Sequence, residues 1–160
     1  SVHLQDPQHH EGDGGGPMSG SQRVGVVVGA GAVLVSAYMH FYLYFWGGYR
    51  GISPERVAGL DISRSFALNA IVGLVIAELL VLSLRYDRLT LPAAALGVVF
   101  ALGALGAYTL SRTSGLLGFT ESGWSTEAVI SKSAEVVAVL SLGTVLVRGL
   151  SARRSPAAAS

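Results

Sequence analysis

The 160-residue chain is 51% hydrophobic and only 13% charged, about half the charged fraction of a typical soluble domain. It contains no cysteine, which excludes disulfides, thiol catalysis and cysteine-ligated metal centres. The formal net charge of +1 argues against nucleic acid as a partner. Long windows without charge instead predict an all-α polytopic membrane protein, built as a bundle of about four transmembrane helices in a lipid bilayer.

The N-terminal segment differs in composition from the rest of the chain. Residues 1–22 are polar and rich in glycine, so we expect a disordered tail. Met18 and the residues after it are typical of a natural start, so residues 1–17 are expected to be an added extension. The histidines of this tail are interpreted as solvated groups. We expect neither a metal site nor a cofactor.

Four apolar segments follow, at about residues 24–46, 65–84, 89–111 and 128–147. Together they predict a transmembrane domain over residues 23–148, followed by a short basic tail over residues 149–160. His40 is the one titratable side chain of the first segment apart from its tyrosines, and Glu78 is the one acid of the second. The third has no charge, whereas the fourth contains Lys132 and Glu135.

The arginines predict the orientation of the helices. The N-terminal flank, the second loop and the C-terminal tail hold six: Arg23, Arg85, Arg88, Arg148, Arg153 and Arg154. The first and third loops hold four: Arg50, Arg56, Arg64 and Arg112. Because positive charge accumulates on the cytoplasmic side, we expect both termini in the cytoplasm and the protein in the inner (plasma) membrane.

Polar residues of all four predicted helices fall at a similar depth in the outer half of the membrane, estimated from a rise of about 1.5 Å per residue. They are His40, Tyr44, Asn69, Tyr108, Lys132 and Glu135. One interpretation is a polar pocket that binds a ligand or is linked to proton movement. In the other, Lys132 and Glu135 simply pair at i and i+3, and His40 bonds a carbonyl or hydroxyl group to hold the bundle together.

Glu78 is the most isolated charge in the predicted bundle. It lies about 20 Å from the outer start of its helix, with no basic residue at its level. An ionised carboxylate is costly there, so we expect it to be neutral or satisfied by a neighbouring helix or subunit. A structural acid, a proton carrier and a contact for a partner subunit all remain open.

Several chemistries are absent from the sequence. A membrane b-type haem usually takes two histidines, and His40 is the only histidine in the predicted spans. No nucleophile-elbow, zinc-protease or phosphate-loop motif is present. Gly25 and Gly29, in a glycine-rich stretch, instead form a GxxxG pair that predicts close helix packing.

Three segments resemble uncharacterised small four-helix integral membrane proteins of actinobacteria: residues 40–44 with 48–52, residues 68–70, and residues 114–121. The resemblance covers about residues 24–147 and implies the same topology. It implies nothing about activity. Our leading hypothesis is an accessory or structural subunit of a larger membrane complex, with other subunits or copies of itself as partners. The alternatives are a small oligomeric transporter or proton relay, and a membrane enzyme or quinone-site protein.

Overall fold

The computed structural model of this chain describes residues 18–51 and 60–154, which contain four long α-helices. They are α1 (Gly20–Phe45), α2 (Ile62–Ser83), α3 (Thr90–Thr113) and α4 (Thr126–Arg154), and a short 3-10 turn, Asp87–Leu89, precedes α3. Each of the four is long and apolar enough to cross a membrane. The predicted all-α four-helix fold is therefore confirmed, and the chain is a multi-pass membrane protein. The predicted tail before Met18, Arg56 and residues 155–160 lie outside the described residues.

Polar caps determine where the first two helices begin. The Ser19 hydroxyl accepts a hydrogen bond from the Gln22 backbone N–H, and the Gln22 side chain accepts one from the Ser19 N–H. This reciprocal capping box starts α1 four residues before the predicted start. Asp61 caps α2 through a single bond of this kind, since its carboxylate accepts from the Arg64 backbone N–H at 2.8 Å. Both helices thus begin directly after a residue whose side chain caps the first turn.

Small residues bring the helices close together. Alanine, glycine and serine supply much of the buried surface, so the backbones approach each other closely. Gly25 and Gly29 of α1 face α4, where an added Cβ would collide with the side chains of Val145 and Leu142 respectively. Leu142 also fills the space over Gly97 of α3. The Leu142 side chain is therefore enclosed between α1 and α3, and it is fully buried.

Large apolar side chains cover the outside of the bundle. Ile71 of α2, Val99 of α3 and Leu140 of α4 are each more than 60% exposed. A soluble bundle would present polar groups on these faces. Apolar side chains outside and small residues inside are the arrangement expected of helices surrounded by lipid.

The bundle has two distinct ends. At one end, called the roofed end, α1 and α3 finish and residues 114–125, called the roof, connect α3 to α4. Leu116 and Phe119 exchange both backbone hydrogen bonds in a tight turn of the roof, and the Glu121 N–H donates to the Ser111 carbonyl of α3. At the opposite, terminal end, the Arg148 guanidinium donates to the Ser21 hydroxyl at 2.8 Å and joins α4 to α1.

Candidate functional site

An ion pair on α4 lies deep in the roofed half of the bundle. The Lys132 ammonium lies 2.6 Å and 2.8 Å from the two carboxylate oxygens of Glu135. Glu135 is fully buried, and one of its oxygens also accepts from the hydroxyls of Ser36 on α1 and Ser131 on α4, at 2.9 Å and 3.0 Å. A buried carboxylate needs this degree of pairing to offset its desolvation. The pair therefore also connects α1 to α4.

The same ammonium group reaches α3. Lys132 donates to the backbone carbonyl of Ala104 at 3.3 Å and lies 5.2 Å from the centroid of the Tyr108 ring. An ammonium group has three N–H donors, and two carboxylate oxygens and one carbonyl supply three acceptors for them. The charges of the pair thus neutralise each other, and no N–H of Lys132 is left for another group.

His40 lies one turn beyond Ser36 on α1, with only 7% of its surface exposed. Its Nδ1 lies 2.8 Å from the Ser36 carbonyl oxygen. Since a carbonyl only accepts, Nδ1 carries the hydrogen, and Nε2 of the neutral ring is left as an acceptor. Nε2 has no hydrogen-bond partner among the described residues. Nε2 also keeps some accessible surface. Among the described residues, only Thr90 Oγ1 is a side-chain polar atom that is both fully buried and without a hydrogen-bond partner.

Above the ion pair lies a cavity of about 90 Å³, bounded by all four helices and by the roof. When space open to the outside is included, the recess holds about 680 Å³. Its principal lining residues are His40, Phe66, Asn69, Tyr108, Phe119 and Lys132. The lining combines aromatic faces with a few polar groups, which is the usual composition of a small-molecule site.

A tyrosine joins the α1–α2 connection to the roof. The Tyr49 hydroxyl donates to the Glu121 carboxylate at 3.0 Å, and its ring lies 4.4 Å from Phe66 and 5.6 Å from Phe119. Burial, reinforced by the hydrogen bond and the charge of Glu121, raises the pKa of Tyr49 to about 12. The phenol therefore keeps its proton and remains a donor to Glu121 at neutral pH.

Arg112 fastens the other side of the roof. Its guanidinium donates to the Gly123 carbonyl at 2.7 Å and lies 4.9 Å from the centroid of the Trp124 ring. Trp124 in turn packs against Tyr108, with ring centroids 5.5 Å apart. Tyr49 and Arg112 thus attach the roof through side chains, in addition to the backbone hydrogen bond from Glu121 to Ser111.

The structure brings most, but not all, of the residues predicted for the polar cluster together. His40, Asn69, Tyr108 and Lys132 line the cavity. Glu135 lies beneath it, in contact with Lys132. Tyr44 is not part of the lining, and its ring packs edge-on against Phe45, with centroids 4.9 Å apart. The ion pair thus forms within α4, and a cavity remains above it.

Four site residues escaped the sequence analysis: Ser36, Ser131, Tyr49 and Glu121. Each serine lies four residues before a predicted site residue, and that spacing is a signal of a shared helix face. Tyr49 and Glu121 are 72 positions apart and belong to two connections, so no local pattern joins them.

The hydrogen bonds do not link His40 to Glu135 by a proton path within the described residues. His40 donates to the backbone carbonyl of Ser36, whereas Glu135 accepts from the Ser36 hydroxyl. A carbonyl oxygen has no proton to pass on. Ser36 therefore positions both groups, but these hydrogen bonds cannot pass a proton from one to the other.

Glu78 lies on the outer face of α2, away from the cavity. It is exposed, and no hydrogen bond or ion pair joins it to another residue of the described segments. It lies about 7–8 Å along the helix axis from the end of α2 at Ser83. The neighbouring side chains on this face include Ile71, Leu74 and Val81, each more than half exposed. The bundle itself thus provides no polar partner for this carboxyl group.

Among the residues with described positions, no group of three or more histidine, aspartate or glutamate side chains is arranged to hold a metal ion. Comparison of the chain with family models, curated proteins and solved structures finds no match. Function is therefore inferred from the residues and geometry of this chain.

Proposed function

We propose that this protein is an accessory subunit of a larger membrane assembly and that it contacts its partner through the exposed face of α2. The observation that carries the proposal is Glu78, an acid directed away from its own bundle and surrounded by apolar side chains. Ionisable residues in membrane spans usually face an interior or pair with one another. A partner from outside the chain would give Glu78 such an environment.

The contrast with Glu135 supports this proposal. The bundle surrounds Glu135 with one ammonium group and two hydroxyls, whereas Glu78 receives no donor from the described residues. On insertion scales an ionised side chain costs about 3 kcal/mol at the centre of a transmembrane helix and less toward its ends; Glu78 lies between these two positions, about 7–8 Å from the end of α2. A partner helix with a lysine, an arginine or another hydrogen-bond donor at the depth of Glu78 would offset that cost.

The shape of the α2 face also suits a helix partner. Ile71, Leu74, Val75 and Val81 surround Glu78 at spacings of three, four and seven residues, and all are at least half exposed. Side chains at these spacings form one stripe along a helix. A second helix could pack along this stripe and place its donor opposite Glu78. The lack of a catalytic motif in the sequence is compatible with an accessory role.

Co-purification after gentle detergent extraction tests the proposal. We expect the parent chain to purify with a stoichiometric membrane partner, Glu78→Gln to retain it weakly, and Glu78→Leu to lose it while remaining folded. Leu140→Ala, on the exposed face of α4, is the matched control and should keep the partner.

Site-specific cross-linking locates the contact. The chain has no cysteine, so Val75→Cys on α2 and Val99→Cys on α3 each introduce a single reactive thiol on an exposed face. The partner should cross-link at position 75 and not at position 99. A parent chain that purifies alone, or a partner retained by Glu78→Leu, would show that Glu78 simply reaches the membrane interface and would refute the proposal.

We further propose that the protein lies in the plasma (inner) membrane with both termini in the cytoplasm. The support is the distribution of arginines. Arg23, Arg85, Arg88, Arg148, Arg153 and Arg154 flank the terminal end, whereas Arg50, Arg64 and Arg112 flank the roofed end among the described residues. In this orientation the cavity lies in the outer half of the membrane.

A further inference from the structure

We infer that the roofed cavity binds a small uncharged molecule with a hydroxyl group on a compact apolar or aromatic body, and that His40 Nε2 accepts the hydrogen bond from that hydroxyl. The site is separate from the α2 face, so it does not depend on the accessory role. Two observations carry the inference: the cavity, and a ring nitrogen of its lining residue His40 that has no partner among the described residues.

The hydrogen-bonding groups of the cavity define the polar part of the ligand. The hydroxyls of Ser65 and Ser111 donate to carbonyls of their own helices. His40 Nε2 and the Asn69 carboxamide, in contrast, have no hydrogen bond to any described residue. Nε2 of the neutral ring accepts, and the carboxamide offers both donors and an acceptor. A hydroxyl suits both groups, because it can donate to Nε2 and also accept from an amide N–H.

The charges near the cavity disfavour an anionic ligand. Lys132 and Glu135 neutralise each other at 2.6 Å, and the ammonium has no N–H left for an anion. At the roof, Glu121 accepts from the Tyr49 hydroxyl and from the Gly123 N–H. An anionic ligand would lose its hydration without gaining an unpaired cation, which is unfavourable in a buried site. A hydroxyl compound avoids this cost.

The walls and the volume define the rest of the ligand. The Phe66 ring centroid lies 5.4 Å from that of His40 and 4.4 Å from that of Tyr49, so an aromatic surface adjoins the imidazole ring. An apolar cavity of about 150 Å³ holds benzene. The inner 90 Å³ therefore accommodates the hydroxyl and part of a single ring, and the wider recess takes the remainder. Phenol is the simplest probe with these properties.

The test compares phenol with anisole, in which a methyl ether replaces the hydroxyl and cannot donate. The parent chain in lipid nanodiscs is titrated with each compound, and empty nanodiscs correct for partition into lipid. We expect phenol to bind at least about tenfold more tightly, because anisole leaves Nε2 unsatisfied. In protein with ¹⁵N-labelled histidine, phenol should shift the Nε2 resonance of His40 and anisole should not.

Variants then assign the effect to the cavity. His40→Phe should remove the preference for phenol over anisole, and Asn69→Leu should reduce it. Tyr44→Phe is the matched control, since Tyr44 is on the same helix but outside the lining, and it should leave the preference intact. Equal affinity for the two compounds in the parent chain, or an unshifted His40 resonance at saturating phenol, would overturn the inference without requiring any variant to fold.

Discussion

Three side chains stabilise the buried Glu135 carboxylate, and the fold must position each of them correctly. Lys132 supplies the compensating charge, whereas Ser36 and Ser131 supply hydrogen bonds to one carboxylate oxygen. Since Ser36 belongs to α1, the carboxylate is fully satisfied only when α1 and α4 are in register. The polar centre therefore specifies the relative position of these two helices.

Removal of both members of the pair should cost less than the sum of the two single removals. Lys132→Met leaves a buried carboxylate without its counter-ion, and we expect the free energy of unfolding to fall by about 3–5 kcal/mol. The double variant Lys132→Met/Glu135→Leu removes both charges and should lose less than the sum of the two single variants. Unfolding in detergent, followed by circular dichroism, measures all four proteins. A double variant that loses the full sum would show that the two charges do not interact.

At this scale the sequence predicted the pair and not its surroundings. Lys132 and Glu135 stand out because charges are rare in apolar windows and their i, i+3 spacing places them side by side. Ser36 is 99 positions from Glu135, and a serine in an apolar helix looks like any small packing residue. Only the arrangement of the helices makes the Ser36 hydroxyl a hydrogen-bond donor to the carboxylate. The sequence indicated a carbonyl or hydroxyl partner for His40, but not which ring nitrogen takes it, so the free Nε2 is seen only in the structure.

At the scale of the helices, the close contact between α1 and α4 depends on two glycines of α1. Gly29 lies directly against the Leu142 side chain, and Gly25 lies against Val145. The GxxxG pair predicted a closely packed face of α1, but its spacing carries no information about which helix packs there. Gly103 of α3, in contrast, does not lie in a close helix contact, because a Cβ at that position would meet nothing within 4 Å.

Substitution of two neighbouring glycines should separate packing from helix propensity. Gly29→Leu forces α1 away from α4, and we expect a loss of about 1–3 kcal/mol in the free energy of unfolding, as for other overpacked cores. Gly31→Leu is the matched control, since its Cβ would enter open space, and it should leave stability unchanged or raise it by up to about 1 kcal/mol. The same unfolding assay measures both, and equal effects at the two positions would contradict the packing described for Gly29.

The helix bounds were predicted well where hydropathy changes and less well elsewhere. Predicted and observed limits agree closely for α3, which follows Asp87 and Arg88 and has Arg112 in its last turn. The C-terminus of α4 extends seven residues beyond the prediction, to Arg154. Hydropathy detects the part of a helix that suits hydrocarbon, whereas arginine and alanine continue a helix equally well outside it. Hydropathy therefore could not predict the last turns of α4.

For the molecule as a whole, an even number of crossings places both termini on one side. The excess of arginine at the terminal end predicts that this side is the cytoplasm. Single cysteines test it, because positions 20 and 123 are glycines at which a Cβ meets nothing within 4 Å. In intact cells a membrane-impermeant maleimide should label Gly123→Cys at once, and Gly20→Cys only after permeabilisation. The reverse pattern would invert the orientation, and labelling of both at equal rates would contradict the transmembrane arrangement.

The position of Leu142 has a consequence for how this sequence can change over evolutionary time. Its side chain occupies the space that side chains at positions 29 and 97 would otherwise fill, so the three positions share one fixed volume. A larger residue at 29 or 97 becomes acceptable only in a background where position 142 is already small. Descendants of this chain should therefore show coupled replacements at these positions, with the reduction at 142 preceding the gain of a side chain on α1 or α3.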